Sequence, residues 1–123
     1  MKSVLIVEDS STTRSMIRAA VEEAGEELNT VEASSGFEAL KLLPREDYAL
    51  IVTDINMPGI NGLELINFIR KDERYRHIPL VIVTTERSAE DRDRGLAMGA
   101  DAYVSKPFRE EELREVITRI LCR

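Results

Sequence analysis

Histidine and cysteine each occur once, at His77 and Cys122, and tryptophan is absent. A lone thiol cannot close a disulfide within the chain, which suits a reducing cytoplasm, the compartment expected for this protein. Long apolar runs are missing as well. Val4 to Val7 and Ile78 to Val83 fall far short of the roughly 18 residues needed to cross a bilayer, so no membrane insertion is expected. Met1-Lys2-Ser3 leads straight into Val4-Leu5-Ile6-Val7 and then acids, without the long apolar stretch and small-residue cleavage site of an export signal. Positive charge is in deficit. Seventeen Lys plus Arg stand against 23 Asp plus Glu, a net charge of −6, which argues against a surface that neutralises nucleic-acid phosphates. No low-complexity segment, linker or internal repeat is visible.

What is present is enough for one domain over residues 1–123. A chain of 123 residues, 43% of them hydrophobic, can bury a core without a disulfide or a structural metal. Short apolar β-rich runs alternate with longer segments of helical period, the pattern of an α/β protein with a parallel sheet covered on both faces. Strands are predicted at 2–7, about 29–33, 49–53, 80–84 and 102–105. The first, third and fourth are apolar nearly throughout, as central strands are. Thr30, Glu32 and Ser34 interrupt the second and place it at an edge. The predicted strand order is 2-1-3-4-5.

Ser35-Gly36-Phe37-Glu38 and Ser88-Ala89-Glu90-Asp91 fit a capping pattern that starts helices. Gly25 and Gly99 stand where a left-handed residue would end them. In the last helix Leu113, Val116, Ile117, Ile120 and Leu121 align on one apolar stripe.

Polar residues interrupt the apolar strands at their carboxyl ends: Glu8-Asp9, Asp54, Thr84 and Ser105-Lys106. Ligands bind open parallel sheets at those ends, where the strand order reverses. The reversal between strands one and three brings Glu8, Asp9 and Asp54 into one crevice. Two unit charges about 4 Å apart repel by about 4 kcal/mol at an effective dielectric of 20, so the acids call for a cation. Mg²⁺ suits one or two carboxylates with waters and a phosphate. With Lys106 and the Thr84 hydroxyl alongside, the crevice is fitted to neutralise a phosphoryl group. The nucleophile would be a carboxylate, best Asp54, with Glu8 and Asp9 as the metal-binding pair.

Four segments, Val4-Leu5-Ile6-Val7-Glu8-Asp9-Ser10, Asp54-Ile55-Asn56-Met57-Pro58-Gly59 with Asn61-Gly62, Thr84-Thr85-Glu86 and Lys106-Pro107-Phe108, resemble the receiver domain of bacterial two-component response regulators, of the single-domain CheY-like type. The resemblance spans essentially the whole chain. It implies a flavodoxin-like (βα)5 doubly wound sheet, with Asp54 as phosphoacceptor for a histidine kinase and Asp9 as a direct Mg²⁺ ligand. Glu8 would act largely through water, and the Asn56 backbone carbonyl would be a further metal ligand. Lys106 would bind the phosphoryl group, Thr84 would swing towards it and Tyr103 would repack in response. A downstream protein would then read the face of helix four, strand five and helix five. The resemblance also suggests a cis bond between Lys106 and Pro107. Asn56, Thr85 and Glu86 would tune the lifetime of the phosphorylated state. Thr85 departs from the small residue common there, and its bulk would narrow the entrance.

Such a protein is a signalling phosphoacceptor, expected to be monomeric or weakly dimeric, that catalyses only its own phosphorylation and dephosphorylation. A chain ending at Arg123, directly after a fifth helix, is expected to carry no output domain, which leaves chemotaxis-like or phosphorelay output through protein contacts. Three alternatives stand beside this reading. A degenerate receiver would act as a phosphorylation-independent interaction module. A small Mg²⁺-dependent phosphatase would usually carry a second acid two residues after the nucleophile, where this chain has Asn56. A nucleotide- or flavin-binding domain would want a glycine-rich turn where Glu8-Asp9-Ser10-Ser11 stands. His77 is expected at the surface, and Cys122, near the C-terminus, is expected to be inert or partly packed.

Overall fold

The computed structural model describes residues 2–25, 27–85 and 89–122, and for Ala89 the backbone alone. The cap expected at Ser88 and the tuning role of Glu86 lie outside these residues. Five strands, β1 (Lys2–Val7), β2 (Leu28–Ala33), β3 (Tyr48–Thr53), β4 (Leu80–Thr85) and β5 (Ala102–Lys106), alternate with helices. These are α1 (Ser11–Ala24), α2 (Gly36–Leu42), α3 (Gly62–Lys71), α4 (Ala89–Ala97) and α5 (Glu110–Leu121). A short 3₁₀ turn, Leu43–Arg45, follows α2. The strands form one parallel sheet in the order β2-β1-β3-β4-β5, as predicted.

The continuous apolar strands arise because both faces of the sheet are covered. Alternate residues point to opposite sides. Val4 and Ile6 of β1, Leu50 and Val52 of β3, and Val81 and Val83 of β4 pack with Ile17, Ala20 and Val21 of α1 and with Leu113, Ile117 and Ile120 of α5. Leu5 and Val7, Ile51, and Leu80 and Ile82 face the other way, onto Ala39 of α2 and Leu65, Ile66 and Ile69 of α3. In α4, Gly95 is what permits close packing: a Cβ there would lie 2.3 Å from the Ile82 Cδ1.

The helix ends refine the predicted chemistry. Gly99 has φ +117, and the Ala100 N–H reaches back to the Gly95 carbonyl at 3.0 Å, closing α4 as expected. Gly25 is a correction. It ends α1 in extended backbone (φ −178, ψ 138), because the chain must straighten at once to enter β2 at Leu28. Ser35 caps α2 by accepting the Glu38 N–H at 3.1 Å, but the Glu38 carboxylate accepts from Ser34 rather than from Ser35. A complete reciprocal box is present at Asn61 and Glu64, at the start of α3. His77 and Cys122 are both exposed. Among the described residues no helix is long and apolar enough to cross a membrane.

Candidate functional site

β1 and β3 are neighbours, yet the connections that leave their carboxyl ends go to opposite sides, which opens a crevice there. The Glu8 N–H continues the β1–β2 ladder onto the Ala33 carbonyl at 3.0 Å, and the Asp54 N–H continues the β1–β3 ladder onto the Val7 carbonyl at 3.1 Å. Sheet pairing therefore sets the two acids side by side. Asp9 follows in the turn, exposed, before Ser10 caps α1 by accepting the Thr13 N–H. One carboxylate oxygen from each of Glu8, Asp9 and Asp54 lies within 4.8 Å of the others.

The floor of the crevice is buried. Glu8 is 0% exposed, Asp54 5% and Thr84 0%. Lys106, arriving from the end of β5, donates to Asp54 Oδ2 at 2.8 Å and to Glu8 Oε1 at 2.5 Å. The other Asp54 oxygen accepts the Asn56 N–H at 3.1 Å, so the carboxylate is held at both ends. The other Glu8 oxygen accepts the Ser10 N–H at 3.1 Å. Among the described residues every buried side-chain nitrogen and oxygen has a partner.

Burial pushes the Glu8 carboxyl up in pKa, and the adjacent Asp9 side chain and then the Asp54 charge add to this, while Lys106 and the Ser10 N–H pull it back. Burial works against the Lys106 ammonium, but its bonds to Asp54 and Glu8 outweigh that and hold its pKa above the ordinary value. Three carboxylates against one ammonium leave the crevice short of positive charge. The donor set is hard oxygen, with Asp9 open to solvent, and it fits a hard divalent cation.

The remaining predicted residues take distinct places. Asn56 is exposed and donates from Nδ2 to Thr84 Oγ1 at 3.3 Å, so the Thr84 hydroxyl is tied to Asn56. Thr85 is exposed and pairs across the ladder with Lys106. The partly buried Tyr103 donates its hydroxyl to the Thr85 carbonyl at 3.3 Å, and Arg92 lies 5.3 Å from its ring centre. The bond between Lys106 and Pro107 is cis, as expected. Two residues quoted only as parts of the motif segments have roles that the sequence did not show. Ser10 caps α1, and its N–H also holds Glu8. Gly62 abuts Asp54 so closely that a Cβ would lie 2.1 Å from the Asp54 carbonyl oxygen.

Fold and crevice together define a doubly wound domain with an acidic centre at its switch point, and comparison with known proteins agrees. Residues 4–118 match the response regulator receiver domain. The chemotaxis protein CheY of Pseudomonas aeruginosa is 38% identical over 117 residues, covering 95% of this chain and 94% of the relative. The chemotaxis protein CheY-3 of Vibrio cholerae is 37% identical over 117 residues, covering 95% and 89%. Among solved structures, Vibrio cholerae CheY4 superposes with a TM-score of 0.87 at 33% identity over 98% of each chain. The chain belongs to the response regulator receiver domain family and is of the CheY-like type.

Proposed function

We propose that this chain is a phosphorylation-activated signalling receiver in which Asp54 takes a phosphoryl group from the phosphohistidine of a histidine kinase. The observation that carries the reading is the Asp54 carboxylate itself. It is nearly buried, held at one oxygen by Lys106 and at the other by a backbone N–H, with two further carboxylates close by. An Asp54 oxygen attacks phosphorus as the P–N bond to the donor histidine breaks, and the imidazole departs with the bonding electrons. Mg²⁺, held by Asp9 and Asp54 with the Asn56 carbonyl and with Glu8 acting through water, would supply positive charge for the phosphoryl oxygens. Lys106 supplies the second positive charge. On this reading the protein catalyses only its own phosphorylation and dephosphorylation.

The response would begin at Thr84. The Thr84 oxygen accepts from Asn56, and a phosphoryl oxygen on Asp54 would offer its O–H a charged acceptor, charge-assisted bonds being the stronger ones. Movement of Thr84 frees space that Tyr103 can take, which alters the surface of α4, β5 and α5. A downstream protein would read that surface, in chemotaxis-like or phosphorelay output in the cytoplasm.

Incubation with radiolabelled acetyl phosphate and Mg²⁺ tests the proposal. An adduct labile to hydroxylamine and absent from Asp54→Asn is expected. A folded wild-type chain that takes up no label would instead be a phosphorylation-independent interaction module.

A further inference from the structure

Glu8 has a second polar group in the crevice wall, its backbone carbonyl. The β1–β2 ladder ends at the pair Val7 and Ala33, beyond which β2 turns away towards α2. The Glu8 oxygen is met there by a side chain: Arg14 Nη1 donates to it at 2.8 Å. The same guanidinium donates from Nε to Glu32 Oε1 on β2 at 3.2 Å, and the other Glu32 oxygen accepts from Arg18 Nη1 at 3.2 Å. The Arg14 side chain is 20% exposed, so it is largely enclosed between α1 and the edge strand.

We propose that Arg14 is a positioning residue for the divalent-cation site, holding the peptide between Glu8 and Asp9 so that the Asp9 carboxylate meets those of Glu8 and Asp54. The inference rests on the reading that the crevice takes Mg²⁺. A peptide unit is planar, so fixing its oxygen fixes the direction in which the chain enters the Asp9 Cα. Glu8 is then restrained at its N–H by Ala33, at its carbonyl by Arg14, and at its two side-chain oxygens by Lys106 and Ser10. Asp9, exposed at the end of this anchored unit, inherits its direction. Mg²⁺ requires near-ideal octahedral geometry, so a small swing of one ligand is costly. Glu32 has its own part. A bare guanidinium beside the crevice would oppose a bound cation, and the Glu32 carboxylate offsets that charge while fixing the plane from which Arg14 donates.

The test is Mg²⁺ binding by titration calorimetry to the wild-type chain and to Arg14→Met, which keeps an apolar stem but loses the donors. Thermal midpoints are measured without metal in parallel. The expected result is a Mg²⁺ dissociation constant raised about tenfold, in the range for loss of a residue supporting a metal ligand. In the Asp9→Asn background, adding Arg14→Met should change the affinity little further. Should Arg14→Met not fold, Glu32→Gln serves, with a smaller loss of affinity in the same direction. A lowered midpoint with unchanged Mg²⁺ affinity would make Arg14 a purely structural residue. Tighter binding would mean that it acts only by repulsion. Either result overturns the inference and leaves the metal reading intact, whereas a wild-type chain that binds no Mg²⁺ overturns both.

Discussion

The ammonium of Lys106 lies 2.8 Å from Asp54 Oδ2, a pair brought together from strands 52 residues apart. The same nitrogen also bonds to Glu8, which is wholly buried. Lys106→Met therefore strands a buried carboxylate and should cost about 2 kcal/mol near neutral pH. The pH dependence has a definite sign. The folded pKa of Lys106 is raised, so its contribution is fully present below the ordinary lysine value and is lost only as pH rises through the folded one. In the variant, Glu8, already raised by burial, rises further. The gap between wild type and variant should therefore narrow on acidification, as Glu8 takes up a proton. Urea denaturation near pH 7 and near pH 5 measures it, and equal gaps would show that Glu8 is not the group left stranded.

Asp9 is the acid of the three that faces solvent. Asp9→Asn removes repulsion without breaking the Lys106 pairs, so the metal-free protein should gain about 0.5 kcal/mol, discounted for exposure. Ligands that bind only the folded state stabilise by mass action. Millimolar Mg²⁺ should raise the melting temperature of the wild type and move that of Asp9→Asn much less. Thermal melts with EDTA and with Mg²⁺ decide the point; an equal shift in both would remove Asp9 from the metal site.

Gly62 opens α3 directly beneath the crevice, its N–H donating to the Ile55 carbonyl at 2.9 Å. A Cβ there would lie 2.1 Å from the Asp54 carbonyl oxygen and 2.7 Å from the Ile55 Cα. Neither backbone atom can yield without moving Asp54. Gly62→Ala should cost about 3 kcal/mol by overpacking and should depress phosphoryl uptake in whatever fraction still folds. Urea midpoints and labelling of the same sample measure both; a variant of wild-type stability would show that the α3 start can shift freely.

The contrast between Asp54 and Gly62 shows what the sequence could reveal. Asp54, Glu8 and Lys106 were legible because each interrupts or ends an apolar strand, and strand order follows from which runs are interrupted. Their convergence is a property of sheet topology, which the alternation of elements already encodes. The partners of Arg14 were not legible, because they depend on the register that sets Ile6 beside Glu32. Nor was the crowding at Gly62, which needs the approach angle of α3. The extended backbone at Gly25 and the reach of Glu38 to Ser34 follow from how the next element begins, and local patterns carry no record of that.

Thr85 shares with Thr13, Met16, Lys106, Pro107 and Phe108 a depression of about 300 Å³ beside the lysine. Under the proposed function its side chain stands on the path of a small phosphodonor. Thr85→Ala should speed labelling by acetyl phosphate several-fold while leaving Mg²⁺ affinity unchanged. Labelling time courses at fixed Mg²⁺ provide the measurement, and an unchanged rate would mean that entry does not pass this side chain.

Tyr48, at the opposite end of the sheet, offers a pH test that involves no phosphate. Its ring is buried and its hydroxyl donates to the Leu42 carbonyl at 2.8 Å. Burial, helped by the nearby Glu46 charge, pushes its pKa from 10.0 to about 12. A raised folded value means that the stability contributed is fully present below pH 10 and is lost as pH climbs through 12. Tyr48→Phe loses the hydrogen bond, worth about 1 kcal/mol, but also loses this alkaline sensitivity. The wild type should therefore be the more stable protein near neutral pH, and its advantage should shrink through the alkaline range. Urea midpoints across that range follow the effect, and an absorbance titration should show a late-ionising phenol in the wild type that is missing from Tyr48→Phe. A constant gap between wild type and Tyr48→Phe at every pH would mean that the phenol ionises in the folded protein as readily as in the unfolded one.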